Sequence, residues 1–337
     1  MNPTSPIRLL SVGNIVSAGF RLYNDNRKQY LIPSLRAFGW GLLLLGFFAL
    51  AIGLMIGGAV WLATANIESS GSSGASGGAI LLLLFGGVLL LGGIPLWIFC
   101  AAKIIYNETL ITANAFSHLS HQPEPVKQTD QRLKSKTWLF WLAKVLVGLV
   151  LYAVSFGFSI MQQIFLPFIS MDNKTIAALA GMLFFLAVIA QYCAQFWLTI
   201  RLFFVEVILA LQPEVKTINC VERSWKLTRQ SFWRIATVLF VGFLITCPLY
   251  ILTIVPAGLI LLAFIPWESM SELGSGSGSE LASRFLIGGS FALGTYLLLL
   301  QVIQIFILPF WQTIKAVLYY DLRSRREGFG LSLDDRG

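Results

Sequence analysis

Charge is scarce in this chain. Only 12% of its 337 residues are Asp, Glu, Lys or Arg, against about 25% in soluble domains, and this argues against an ordinary soluble helical protein. Histidine is scarcer still. His118 and His121 stand three residues apart, with no HExxH spacing and no cysteine nearby, so metal-assisted chemistry has no ligand set. Neither a GxxxxGK[ST] phosphate loop nor a GxSxG nucleophile turn occurs. Cys100, Cys193, Cys220 and Cys247 form no CxxC or other paired spacing and read as reduced packing residues. Residues 1–26 are polar and basic and lack the apolar core of a secretory signal, so the amino terminus is expected to stay in the cytoplasm. These absences point away from an enzyme, and no catalytic residue, metal or cofactor is expected. A membrane-embedded hydrolase would require His118 or His121 to meet carboxylates around a metal.

What is present is apolar length. Stretches 38–65, 79–102, 138–168, 175–200, 235–267 and 285–314 are each long enough for a helix to span a bilayer, which takes roughly 20 apolar residues. Backbone in lipid must satisfy its own hydrogen bonds, which favours helices. Lys144 is the one charge inside these stretches, close enough to an end to snorkel. The intramembrane charges of a proton relay or ion pathway are therefore missing. Gln162, Gln163, Gln191, Gln195, Gln301 and Gln304 remain, and interhelical hydrogen bonding is their simplest role. The fold class is thus all-α: a polytopic membrane protein of six transmembrane helices in three hairpins, 38–102, 138–200 and 235–314, with cytoplasmic interfacial helices. Segment 1–37 is a basic amphipathic lead-in, 38–314 a single six-span domain and 315–337 a basic tail.

The net charge of +8 is distributed in a way that suits a membrane surface rather than nucleic acid. Of the 24 Lys and Arg, all but Lys174 and Arg284 fall before the first span, after every second one, or at Lys144. By the positive-inside rule both termini are cytoplasmic, in a bacterial inner membrane or another internal bacterial membrane. Anionic headgroups are the expected partners of those charges. A membrane protein partner or a second copy remains open, and nucleic acid is not expected.

The hairpin is used three times. Pro95-Leu-Trp97 leads to Lys103 and Glu108, Gln195-Phe-Trp197 to Arg201 and Glu206, and Pro309-Phe-Trp311 to Lys315 and Asp321. Lys103 with Glu108 and Arg201 with Glu206 look like interfacial ion pairs. Serine and glycine fill loops 67–78 and 268–283, which read as flexible coils, whereas 171–174 reads as a tight turn. In 217–233, Ile218, Val221, Trp225 and Phe232 recur on one side of a helix, and Glu222, Arg223, Lys226 and Arg229 on another. This predicts an amphipathic helix lying among headgroups or docked on its own protein. Val12, Val16, Phe20 and Tyr23 form a similar stripe, interrupted by Asn24-Asp25-Asn26 and then Pro33.

Most tryptophans sit near span ends, as interfacial anchors do. Gly53 and Gly57 have GxxxG spacing, with Gly86, Gly87, Gly92 and Gly93 in the second span; packing within the chain or dimerisation would use them. Pro248 and Pro256 are expected to kink or break the fifth span. A broken helix can mark a transport site, but no matching pair occurs in an equivalent repeat.

The segments Glu222-Arg-Ser-Trp-Lys-Leu-Thr-Arg-Gln-Ser-Phe-Trp-Arg234 and Pro309-Phe-Trp through Tyr319-Tyr-Asp-Leu-Arg-Ser-Arg-Arg-Glu-Gly328 resemble a bacterial membrane family. This is the glycerophosphoryl diester phosphodiesterase membrane domain, with its uncharacterised multi-span relatives. In members that are enzymes, the resemblance implies that chemistry belongs to a separate soluble barrel, for which this chain has no room. The expectation is therefore a non-enzymatic structural or accessory membrane module, with a permease for a lipid or other amphipathic solute as the alternative. The candidate contact residues, for anionic headgroups or an acidic partner, are Arg223, Lys226, Arg229, Arg234, Lys315, Arg323, Arg325 and Arg326, grouped near Trp225, Trp233 and Trp311. A polar cavity reaching Gln191 and Gln301 would favour the permease. Reporter fusions check the orientation: a periplasm-dependent phosphatase should be active when inserted at 171–174 and inactive at either terminus.

Overall fold

The computed structural model describes residues 11–68, 73–120, 124–171, 173–212, 217–264 and 278–327, and among these no strand occurs. The helices are α1 (Val12–Asp25), α2 (Arg27–Glu68), α3 (Ser73–Leu119), α4 (Val126–Lys134) and α5 (Thr137–Ile169), then α6 (Lys174–Arg201), α7 (Val205–Leu211), α8 (Thr217–Thr228), α9 (Phe232–Phe264) and α10 (Gly278–Glu327). Among the described residues, six segments are long and apolar enough to cross a membrane: Arg27–Leu62, Gly77–Leu119, Thr137–Ile169, Lys174–Leu211, Phe232–Phe264 and Ile287–Arg326. Large apolar side chains stand outward along them, Leu91 with 71% of its surface exposed. Lipid accommodates such a surface and water does not. The chain is an all-α polytopic membrane protein.

Several sequence breakers are absorbed into helices. Asn26 does separate α1 from α2 as a turn, but Pro33 lies inside α2. Pro248 and Pro256 lie inside α9, which stays one helix instead of breaking into a discontinuous segment. The buried Thr246 and Thr253 beside them donate to the carbonyls of Phe243 and Tyr250. Serine and glycine from 73 to 78, expected as coil, form the first turns of α3, while 69–72 and 268–277 lie outside the described residues. At the short turn before α6, Asn173 accepts from the backbone N–H groups of Thr175 and Ile176, a side-chain N-cap.

The described residues fall into two compact units. One lies within Met1–Asp25, Thr109–Gly242 and Trp311–Gly337, the other within Asn26–Glu108 and Phe243–Phe310. In the second unit α2 and α3 run antiparallel, with Trp40 edge-on to Phe99 at 5.4 Å. Their close contact is made by Gly58, Gly86 and Gly93; a Cβ on Gly86 would stand 2.6 Å from Met55 Cγ and 3.0 Å from the Ala51 carbonyl. Gly53 and Gly57, the GxxxG pair, face open space. Also in this unit, Ser34 Oγ donates to the Ile305 carbonyl at 2.8 Å, and Gly41 lets Gln301 lie against α2.

In the first unit α5 and α6 form an antiparallel hairpin. Gln162 donates to Gln191 at 2.8 Å and Gln195 donates to Ser155, so these glutamines do hydrogen-bond between helices. Within this unit the continuations of the three repeats, beyond Trp97, Trp197 and Trp311, come together. Residues 109–117 of α3 and 312–319 of α10 are buried at every position, as are 204–210. Thr112 donates to Gln312 at 2.7 Å, and Tyr319, fully buried, packs 5.7 Å from Phe116 and 5.6 Å from Phe204. One aromatic residue thereby touches both other repeats. Helix α1 docks on α10 through Gly19, where a Cβ would meet Ile314 Cγ1 at 2.9 Å. Its buried side is Ile15, Val16 and Gly19, while Phe20 of the expected stripe is exposed.

Ion pairing also departs from expectation. Glu206, on α7, pairs not with Arg201 but with Lys144 of α5 at 2.9 Å and with Lys315 of α10. Lys103 lies over the rings of Phe99 and Tyr106. Asp321 is shared by Arg234 at 3.0 Å and Arg325 at 3.0 Å. Glu206 and Asp321, the acids past the basic residues of the second and third repeats, each reach a base on another helix.

Two predictions follow from this packing. Glu206→Gln should lower the thermal midpoint in detergent, losing about 3–5 kcal/mol because buried Lys315 is left without its counter-charge; Glu206→Gln with Lys315→Met should regain most of it. Gly86→Val should destabilise the α2–α3 pair by about 1–3 kcal/mol, whereas Gly53→Val should leave the melting curve unchanged.

Candidate functional site

Helix α8 carries three distinct faces. Cys220, Ser224, Leu227 and Thr228 are buried and recur at the three- and four-residue steps that share one helix face. Ser224 fixes this face: its Oγ donates to the Arg201 carbonyl at 2.8 Å and accepts from the Phe204 backbone N–H at 3.3 Å. The turn between α6 and α7 thus finds its polar partner in α8, which is docked on its own protein. Burial raises the Cys220 thiol above its ordinary value, in keeping with a packing residue; none of the four cysteines forms a disulfide.

The second face is apolar. Trp225 lies edge-on to Trp197 at 5.2 Å, and the Arg201 guanidinium sits 5.2 Å from one ring and 5.3 Å from the other. Arg201 is buried, and its Nε and Nη1 have no hydrogen-bond partner, so the two indole faces are its principal company. Beyond Trp225 a cleft of about 580 Å³ opens between α8 and α5. Leu146, Val147 and Val150 of α5 make its floor with Leu202, and Ile218, Val221 and Trp225 its wall. Ile218 has 76% of its surface exposed.

Charge occupies the third face. Glu222 and Lys226, with Arg229 in the turn that follows α8, stand at one edge of the cleft, and Lys226 pairs with Glu222 at 2.5 Å. That hydrogen bond holds the Glu222 carboxyl below its ordinary range, so it is ionised near neutral pH. Arg229 is exposed and has no acidic partner among the described residues. On the opposite flank a second cavity, about 350 Å³, is lined by Asn219, Glu222, Arg223, Lys226, Leu227 and Arg326. Arg326 crosses from α10 to donate to the Lys226 carbonyl and to Gln230 Oε1. A cation there satisfies a carbonyl at the carboxyl end of α8.

Of the eight candidate cations, Arg223, Lys226, Arg229 and Arg326 therefore converge around α8. Arg234 and Arg325 are held by Asp321, and Arg323 is half-buried on α10. Lys315 is only 6% exposed and is bound to Glu206, so it stands at no accessible surface. Sequence periodicity found the charged and apolar faces of α8. It could not find Leu146, Val147 and Val150, because three apolar residues within a spanning helix carry no mark of the cleft they floor. His118 is half-buried and His121 lies outside the described residues; among the described residues no group of three or more His, Cys, Asp or Glu could hold a metal. Neither cavity is lined by Gln191 or Gln301.

Cations at one edge of an apolar cleft can hold an amphiphile with an anionic head: the apolar body leaves water, and the head is met by charge-assisted hydrogen bonds. No protein-family model, curated protein or solved structure matches this chain.

Proposed function

We propose that this is a non-enzymatic integral membrane protein of a bacterial inner membrane, both termini cytoplasmic, acting as a structural or accessory module that engages anionic lipid. The observation that carries the reading is Arg229, a cation without an acidic partner among the described residues, beside Lys226 and an apolar cleft on an amphipathic helix. The distribution of Lys and Arg supports the orientation, which puts α8 on the leaflet where anionic lipid gathers. The resemblance of 222–234 and 309–328 to the membrane-domain family supports an accessory role without chemistry. Gln162 with Gln191 and Gln195 with Ser155 are the contacts of a packed bundle, which favours this reading over a permease.

Spin-labelled lipids report the selectivity. Reconstituted wild-type protein should enrich an anionic phospholipid over a zwitterionic one in its motionally restricted shell, and Arg223→Glu with Lys226→Glu and Arg229→Glu should bring that ratio down several-fold, since the shell averages a local preference of about 1 kcal/mol per cation over many lipid positions. High salt should weaken the wild-type preference in the same direction. An unchanged ratio in the triple variant would remove the basis for lipid engagement at α8.

A further inference from the structure

We propose that the α5–α8 cleft is a discrete binding site for one anionic phospholipid, its acyl chain lying along the floor and its phosphate against Arg229 and Lys226. This deepens the lipid-engaging reading and rests on it. Three observations point to that occupant. The cleft's volume, about 580 Å³, falls within the range of small-molecule sites, roughly 300–1,000 Å³. Its interior is apolar throughout, and Ile218 presents 76% of its surface with no protein cover. Polar groups stand only at one edge, where Lys226 balances Glu222 and Arg229 leaves one positive charge over.

The surroundings supply a route and a polarity. Leu142 and Leu149, close to the floor residues along α5, are exposed on a membrane-spanning helix, so the floor is reached from the lipid side without opening the bundle. A lipid entering there keeps its chain in an apolar environment and brings its phosphate to the charged edge. An apolar helix from a partner protein would fill the same floor but leave Arg229 uncompensated. A free phosphate would satisfy Arg229 and leave Ile218 and Val150 bare. Only a molecule with both parts covers the whole site.

The test uses the purified full-length chain in detergent, with phosphatidylglycerol or phosphatidylcholine added and retained lipid counted by native mass spectrometry. One phosphatidylglycerol should stay bound, favoured over phosphatidylcholine about tenfold, because both lipids offer the phosphate but the choline ammonium of the second adds a positive charge beside Arg229 and Lys226. Val150→Trp, which fills the floor, should lower retention about tenfold while the anionic selectivity of the surrounding lipid shell stays as in wild type. Should that variant fold poorly, wild-type protein labelled with phosphatidylglycerol bearing a photoreactive acyl chain keeps the test open: adducts should concentrate on 146–150 and 218–225. Unchanged retention in a normally melting Val150→Trp protein, adducts spread evenly over all spanning helices, or capture of a protein instead of lipid at 218–225 would each overturn the site. None of these results alters the shell selectivity by which lipid engagement itself is judged, so the two can fail separately.

Discussion

A carboxylate buried among apolar helices must find cations, and Glu206 finds two, one on each oxygen. Lys144 Nζ reaches Oε2 and Lys315 Nζ reaches Oε1. The three residues stand on α5, α7 and α10, so this pairing fixes the register of elements far apart in the chain. Ion pairs of this sort add little net stability over an apolar substitute but are severe to break from one side. Their effect is on specificity, since α10 cannot slide or rotate against α7 without stranding a charge. Around the pair the core is aromatic and amide-rich: Tyr319 between Phe116 and Phe204, and Thr112 on Gln312.

That constraint shapes the surface as well. Glu206 and Asp321 are both turned inward and each is matched by two bases, so neither is available to Arg229 at the cleft. Ser224 pins α8 to the turn after α6, and with its docked face occupied, its apolar and charged faces can only look outward. The cleft and its basic edge are thus a consequence of how α8 is held, in the same sense that the α6–α7 turn is a consequence of what α8 donates to it.

Membrane class, six spans, the helix at 217–228 and the recurring Trp–base–acid pattern could all be read from the chain. Each depends on one-dimensional quantities: apolar length, helical period and the placement of charge. Long-range matches could not be read. Lys315 and Glu206 are separated by 109 residues, and local spacing instead suggested Arg201 as the partner, whose guanidinium lies against two tryptophans. Glycine content pointed to the right pair of helices, with Gly86 and Gly93 among the candidates, but spacing did not say which glycines face the partner. Gly53 and Gly57 satisfy the pairing motif, yet Gly86 and Gly93 take the contact, because which side of a uniformly apolar helix faces a neighbour is set by the neighbour. Lys315 looked like a surface cation by composition and is a core residue by packing.

The most direct measurement is a side-chain-resolution map of the protein in nanodiscs containing both anionic and zwitterionic phospholipid. It should place Lys144 and Lys315 on Glu206 and show a phosphate within salt-bridge distance of Arg229, its chain running between α5 and α8. A map in which Arg229 pairs with a protein carboxylate and Val150 packs directly on Ile218, with no lipid between them, would contradict it.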